Sequence, residues 1–197
     1  SVKFIKYFAL FFLLQGCSSD YEWGWYILSP NNVDGLTNLK FLISGITTTI
    51  YISVISIILA MIIGLVIALP SLSNNKFLSY FNIAYVEIVR AVPLLVLILW
   101  IYYGLPIMLG VSFSPFVSGI IALTISESAF QAEIFRAGIN SIHKGQHEVA
   151  GSLGMDFWKK MRFVILPQAI KVVLPALGNQ FVYVLKMSSL VSIIGIA

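Results

Sequence analysis

The sequence predicts an all-α membrane protein, a helical bundle with several spans. Only 10% of its 197 residues are charged, 59% are hydrophobic and the mean hydropathy is +0.95. A soluble domain carries about 25% charged residues. The apolar residues are also gathered into uncharged stretches long enough to cross a bilayer, separated by short polar turns. The net charge of +4 sits in those turns. That is the topological use of Lys and Arg, and it excludes nucleic acid as a partner, which would need a basic face on a soluble fold.

The elements follow in order. Lys3 and Lys6 precede the apolar run 8–14, then come Gly16-Cys17 and the polar Ser18-Ser19-Asp20. Residues 1–17 thus read as a signal segment. Their ending resembles a bacterial lipoprotein box with Cys17 as the acylated residue; an uncleaved signal-anchor fits the same residues. Either one exports segment 18–40, which is expected to be periplasmic and to carry Trp23, Trp25 and Tyr26 near the outer interface. Cys17 is the single cysteine, which excludes an intramolecular disulfide. Residues 41–197 form the membrane domain. Phe41–Leu69 is the first long span, stopped by Pro70 and a polar turn to Lys76. The uncharged stretch between Arg90 and Glu127 is too long for one helix. Gly104, Pro106, Gly110 and Pro115 divide it into spans of about Ile83–Tyr103 and Phe116–Gly138. A last apolar region runs from Ala169 and is expected to be broken at Pro175, Gly178-Asn179-Gln180 and Lys186. Lys144, Lys159, Lys160 and Arg162 place loop 139–167 in the cytoplasm, and every other loop then falls on the side its charges favour.

Within the spans the ionisable residues are the informative ones. Glu127 lies mid-span with no base three or four positions away. An unpaired carboxylate there costs on the order of 2.5–3.5 kcal/mol even on lenient scales. It must therefore face protein, water or a cationic ligand, and Thr124 and Gln131 extend a polar stripe along its face. Glu87 with Arg90, and Glu133 with Arg136, have the spacing of intrahelical ion pairs. His143 and His147 lack the further ligands a metal site needs, so no metal is expected. No phosphate-binding GxxxxGK[ST] loop and no nucleophile elbow occurs, so the chain is expected to be no enzyme.

Loop 139–167 is the most hydrophilic part of the second half. Gln146–Leu153 suits two helical turns with Val149, Ala150 and Leu153 on one apolar side. Gly154 suits the C-terminal cap, Asp156 caps the next helix, and Pro167 is expected to break that helix at the membrane surface. From the residues alone, this describes an interfacial loop as well as it describes a docking surface.

The motif inside the loop adds to that. Glu148-Val149-Ala150, then Gly154, then nine residues to Val164-Ile165-Leu166-Pro167 resemble the cytoplasmic EAA–G–IxLP motif of bacterial ABC-importer permeases. Val149 and Val164 are its conservative departures. The flanks, with "VEIVRAVPLL" and "AEIFRAGINSIHKGQ", are similar to the polar amino acid branch, and the likeness runs from about Gly45 to the end. It implies a permease bundle whose coupling helix docks on an ATP-binding subunit through Gly145, Glu148, Val149, Ala150, Gly151, Leu153 and Gly154. It implies as partners a periplasmic amino-acid-binding protein, a second permease subunit (the same or a different chain) and membrane lipid. No cofactor is expected on this chain, because ATP is used by the partner. The substrate pathway is expected to include Thr124, Glu127 and Gln131, with Asn179 and Gln180 on a helix made discontinuous near Pro175. Members of the family continue into one more span, which this chain is expected to lack. The resemblance implies a multi-pass protein of the bacterial inner membrane importing polar amino acids. An ion-coupled carrier or channel working through Glu127 is the alternative from another class.

Overall fold

A computed structural model describes residues 24–72 and 76–196. The expected signal segment 1–17, with Cys17, and Trp23 lie outside the described residues. The chain divides into two units, 1–44 and 45–197. In the first unit, a 3-10 turn at Gly24–Leu28 leads into α1, Gly35–Ala68. Asn38 Nδ2 donates to the Ile27 carbonyl at 3.1 Å, tying the turn to the helix start.

The second unit is a bundle. Through it α1 buries one narrow stripe, in which Ile52, Ser56, Ala60, Gly64 and Ala68 recur every four residues. Ser53 and Ile57 are buried beside it, and most of the other residues of α1 from Ile50 on are apolar and exposed, as a surface for hydrocarbon should be. It contains nearly the whole expected span and ends before Pro70, where a 3-10 turn, Leu69–Leu72, takes over.

The expected helix Ile83–Tyr103 does not exist as one piece. Helix α2, Lys76–Ala91, stops before Pro93, and α3, Leu94–Leu99, starts after it. The axes of Asn82–Ala91 and Leu94–Leu109 differ by 93°. Pro93 has no N–H to continue the ladder, and β-branched Val92 before it is pushed out of helical conformation. Val92 keeps only a turn bond to the Val89 carbonyl at 3.3 Å.

Two other prolines behave differently. A π-helical turn, Trp100–Gly104, joins α3 to α4, Leu105–Leu109. Helix α7, Phe157–Lys160, runs through a second π turn, Met161–Ile165, into α8, Leu166–Met187. The turns stand two residues before Pro106 and Pro167. In each the leucine preceding the proline donates to the carbonyl five residues back, Leu105 to Trp100 and Leu166 to Met161. The widened turn absorbs the missing donor and the ring without breaking the helix. The expected stop at Pro167 is therefore not a stop. Nor is α8 discontinuous at Pro175, which lies inside it. A 3-10 segment, Ser188–Ile194, follows directly.

Between these lies α5, Pro115–Asn140, close to the expected Phe116–Gly138. Ser114 Oγ accepts from the Val117 N–H at 3.3 Å, and Pro115 fills the first helical position. The core gathers on α5, where Ala122 and Leu123 pack with Ile52, Ile98, Ile101, Val191 and Ile194. Ala132 packs with Ala68 and Val86. Among the described residues, Gly35–Ala68 and Phe157–Ile194 are long and apolar enough to cross a membrane, with the bent pair a third candidate. Helix α5 falls outside that set because its polar residues lower its hydropathy; packed against protein, it carries Ser118, Thr124, Ser126, Glu127, Ser128 and Gln131 buried.

The contacts of α5 with α8 and with the 3-10 segment that follows it depend on one glycine each. A Cβ on Gly138 would lie 2.2 Å from Val173 Cγ2, and one on Gly119 would lie 2.4 Å from Val191 Cγ1. Gly138→Val is expected to destabilise the bundle by about 1–3 kcal/mol through overpacking. Gly178→Ala, in open space, should not. Thermal unfolding of the two variants in detergent measures the difference.

Candidate functional site

The first candidate site is the loop after α5. Helix α6, Lys144–Ser152, begins at His143, whose Nδ1 accepts from the Gly145 N–H at 3.1 Å. The sequence reading gave His143 no role; as the residue before a helix its ring serves as an N-cap. At the other end Gly154 has φ +72, the left-handed conformation expected of the cap. The Gly154 N–H bonds the Gly151 carbonyl at 2.9 Å and the Met155 N–H the Ala150 carbonyl at 3.1 Å. Together these make a complete Schellman motif. Asp156 then caps α7, accepting from the Lys159 N–H at 2.7 Å.

The expected single apolar side on α6 is split. Ala150 is buried, 2% exposed, and faces the bundle, while Val149 and Leu153 are 61% and 70% exposed. Residues 149 and 153 share a face four apart, and Ala150 is turned from Val149 by one residue's rotation. Phe157 and Trp158 are also exposed, edge to face at 5.7 Å. Glu148, Gly151 and Gly154 lie on the same open surface, and Gly145 is half-buried. Gln146 Oε1 receives a 3.4 Å bond from Gln168 Nε2 on α8. The loop is thus a capped, rigid surface with two outward aliphatic side chains.

The second candidate site is the polar stripe of α5. Thr124, Glu127 and Gln131 are all buried, Glu127 completely. Gln180 Nε2 on α8 donates to Glu127 Oε2 at 2.6 Å, so two of the expected pathway residues meet across 53 positions of sequence. The second carboxylate oxygen, the Thr124 hydroxyl and both polar atoms of the Gln131 amide have no partner among the described residues. Asn179, expected beside them, is instead exposed.

Two contributors to this site were missed in the sequence. Gly64 of α1 packs so closely on α5 that a Cβ would come within 2.9 Å of the Ser128 carbonyl and 3.0 Å of Gln131 Cβ. Its signal was present in the small residues Ser56, Ala60, Gly64 and Ala68 at intervals of four, the spacing that lets membrane helices approach. The other is Tyr85, whose hydroxyl is 2.7 Å from Ser128 Oγ.

One of the two expected ion pairs is present. Arg136 Nε and Nη2 bond the Glu133 carboxylate at 2.9 and 2.5 Å. Glu87 and Arg90 do not pair; the Arg90 guanidinium lies over the Phe130 ring, 5.0 Å from its centroid. A cation over an aromatic face, supplied by α5, replaces the contact expected within α2.

Comparison with known proteins defines the class. The sequence profile described as the binding-protein-dependent transport system inner membrane component matches residues 56–197. The chain belongs to this family of importer permeases. It is 37% identical over 157 residues to a putative glutamine transport system permease protein of Rickettsia felis, covering 80% of this chain and 72% of that one. With an arginine transport system permease protein of Bacillus subtilis it shares 35% over 161 residues, 82% of this chain and 74% of the relative. Among solved structures, an amino acid ABC transporter crystallised with histidines superposes with a TM-score of 0.76 at 43% identity, covering 84% of this chain and 78% of that one. A methionine ABC transporter in an inward-facing conformation has the same fold, with a TM-score of 0.68 at 22% identity and coverage of 78% and 74%.

The cap geometry carries a test of its own. An L-residue other than Asn or Asp at the left-handed Gly154 costs roughly 1–2 kcal/mol. Gly154→Ala is expected to speed hydrogen exchange at the amides of Gly154 and Met155, whereas Gly154→Asn should leave it near the wild-type rate. Amide exchange followed by mass spectrometry over this peptide distinguishes the two.

Proposed function

We propose that this permease imports polar amino acids across the bacterial inner membrane, driven by ATP that a separate subunit hydrolyses. Its membership of the family and the amino acid permeases among its relatives support this reading. The observation that carries it furthest is the loop. The motif residues Glu148, Val149 and Gly154 stand on a rigid, doubly capped surface whose aliphatic side chains Val149 and Leu153 point outward. An exposed aliphatic pair on a short fixed helix suits a cleft in a soluble partner. In this reading α6 seats in the ATP-binding subunit, Gly145 and Gly151 let the helix lie close against it, and Ala150 holds the helix to the bundle. A periplasmic amino-acid-binding protein delivers substrate to the opposite face, and a second permease subunit completes the pathway. Segment 18–40 then faces the periplasm and loop 139–167 the cytoplasm.

Within the membrane the pathway is assigned to the polar stripe. In this structure the stripe is closed, and the unpartnered groups of Thr124, Glu127 and Gln131 are the demand that water or a passing substrate would satisfy. Gln180 is placed to orient the carboxylate.

Docking is tested by Val149→Asp and Leu153→Asp, which place a charge in an apolar contact. Each is expected to release the ATP-binding subunit on copurification while the permease still inserts. Full retention of that subunit by the double variant counts against the assignment.

Glu127→Gln tests the pathway. The amide keeps the shape and still accepts from Gln180, so only the charge is lost. Uptake of arginine by the assembled transporter is expected to fall about tenfold, the equivalent of one charged contact of roughly 1.4 kcal/mol. Glutamine and glutamate uptake should fall less. Equal, near-normal uptake of all three would make Glu127 a structural residue.

A further inference from the structure

Between α2 and α5 lies a cavity of about 240 Å³. Glu87 and Arg90 line it from α2, Glu133 and Arg136 from α5, together with Asn82, Ile83 and Val86. An acid and a base therefore face each other from both helices across unfilled space. The pairing present joins α5 to itself, Arg136 to Glu133, at 2.5 and 2.9 Å. On α2, Glu87 makes no ion pair among the described residues, and Arg90 rests on Phe130. Arg90 is nonetheless close enough for its charge to act on Glu133.

The surroundings allow closure. Below the cavity the two helices touch through Val86 and Ala132, and through Tyr85 and Ser128 at 2.7 Å. Asn82 Nδ2 is bonded to the Ile67 carbonyl, fastening the first half of α2 to the end of α1. The second half is bordered by the break at Pro93, where the axis turns by 93°. A helix held through its first half and broken at its end can tilt about those contacts.

We propose that these four residues form an ion-pair latch that changes partners. In its second state Glu133 takes Arg90 and Arg136 takes Glu87, the cavity closes, and α2 is clamped to α5. The exchange converts one pair within a helix into two pairs between helices. The second state gains one ion pair and gives up the Arg90–Phe130 contact; a solvent-accessible pair contributes little, so the two states can be close in energy, as a switch requires. Its use in transport rests on the function proposed above; the change of partners itself does not.

Charge reversals in the assembled transporter test the pairing. Arg90→Glu is expected to lower amino acid uptake about tenfold, a coupling of ordinary size. Arg90→Glu combined with Glu133→Arg should recover most of it. Glu133→Arg combined with Arg136→Glu preserves only the pair within α5 and should recover nothing. Rescue by that second pair, or none by the first, overturns the latch. A second measurement needs no transport. With Cys17→Ser as background, spin labels at Ile88→Cys on α2 and Ala137→Cys on α5, both exposed, leave all four charges in place. The latch should give two label-to-label distances in membranes, and Arg90→Glu should leave only the longer; a single distance in both overturns the proposal. If the wild type shows no uptake yet both distances appear, the functional reading fails and the latch stands.

Discussion

A carboxylate in the middle of a membrane helix must be solvated by the protein itself, and much of this bundle follows from the helix that carries Glu127. Left alone in hydrocarbon the charge would cost several kcal/mol. Here α5 is enclosed on several sides. α1 approaches through Gly64, α2 through Tyr85 and Val86, and α8 through the contacts at Gly138, while Gln180 supplies a hydrogen bond to one carboxylate oxygen. Small residues at these crossings let the backbones come close enough to exclude lipid. α1 can then be apolar over most of its surface, and α5 need not be. Most of the buried polar side chains sit on α5, which touches little but protein.

The prolines show how much a helix break depends on context. Pro93 ends a helix, Pro106 and Pro167 are absorbed by widened turns, and Pro175 sits within α8 without ending it. The residue in front is one difference. Leu105 and Leu166 keep helical backbone angles, whereas β-branched Val92 does not continue the helix. A ring alone therefore does not locate a boundary.

This also explains what could be read in the residues. Hydropathy placed the first span, a long apolar run; α5 was bracketed instead by Pro115 before it and the basic loop after it. The caps at Gly154 and Asp156 were legible, since cap chemistry is local. So was the Glu133–Arg136 pair, whose partners are one turn apart. The Glu127–Gln180 bond was not, because it depends on how α5 and α8 cross. The loss of the Glu87–Arg90 pair has the same origin, as its competitor Phe130 comes from another helix. The orientation of Ala150 inward and Val149 outward was hidden too, since only the packed bundle says which side of a short helix is inside.

The absorbed Pro167 has a mechanical consequence. Because the π turn keeps α7 and α8 continuous, Phe157–Ile194 runs as one unbroken helical rod of 38 residues. Trp158, at the exposed loop, and Gln180, at the buried carboxylate, ride on that rod about 33 Å apart, at 1.5 Å per residue. A break at the membrane surface would have let the loop move while the interior stayed still. With the rod intact, the loop is one arm of a lever. A tilt of roughly 3° imposed there displaces the far end by about 2 Å, enough to draw Gln180 beyond hydrogen-bonding distance of Glu127.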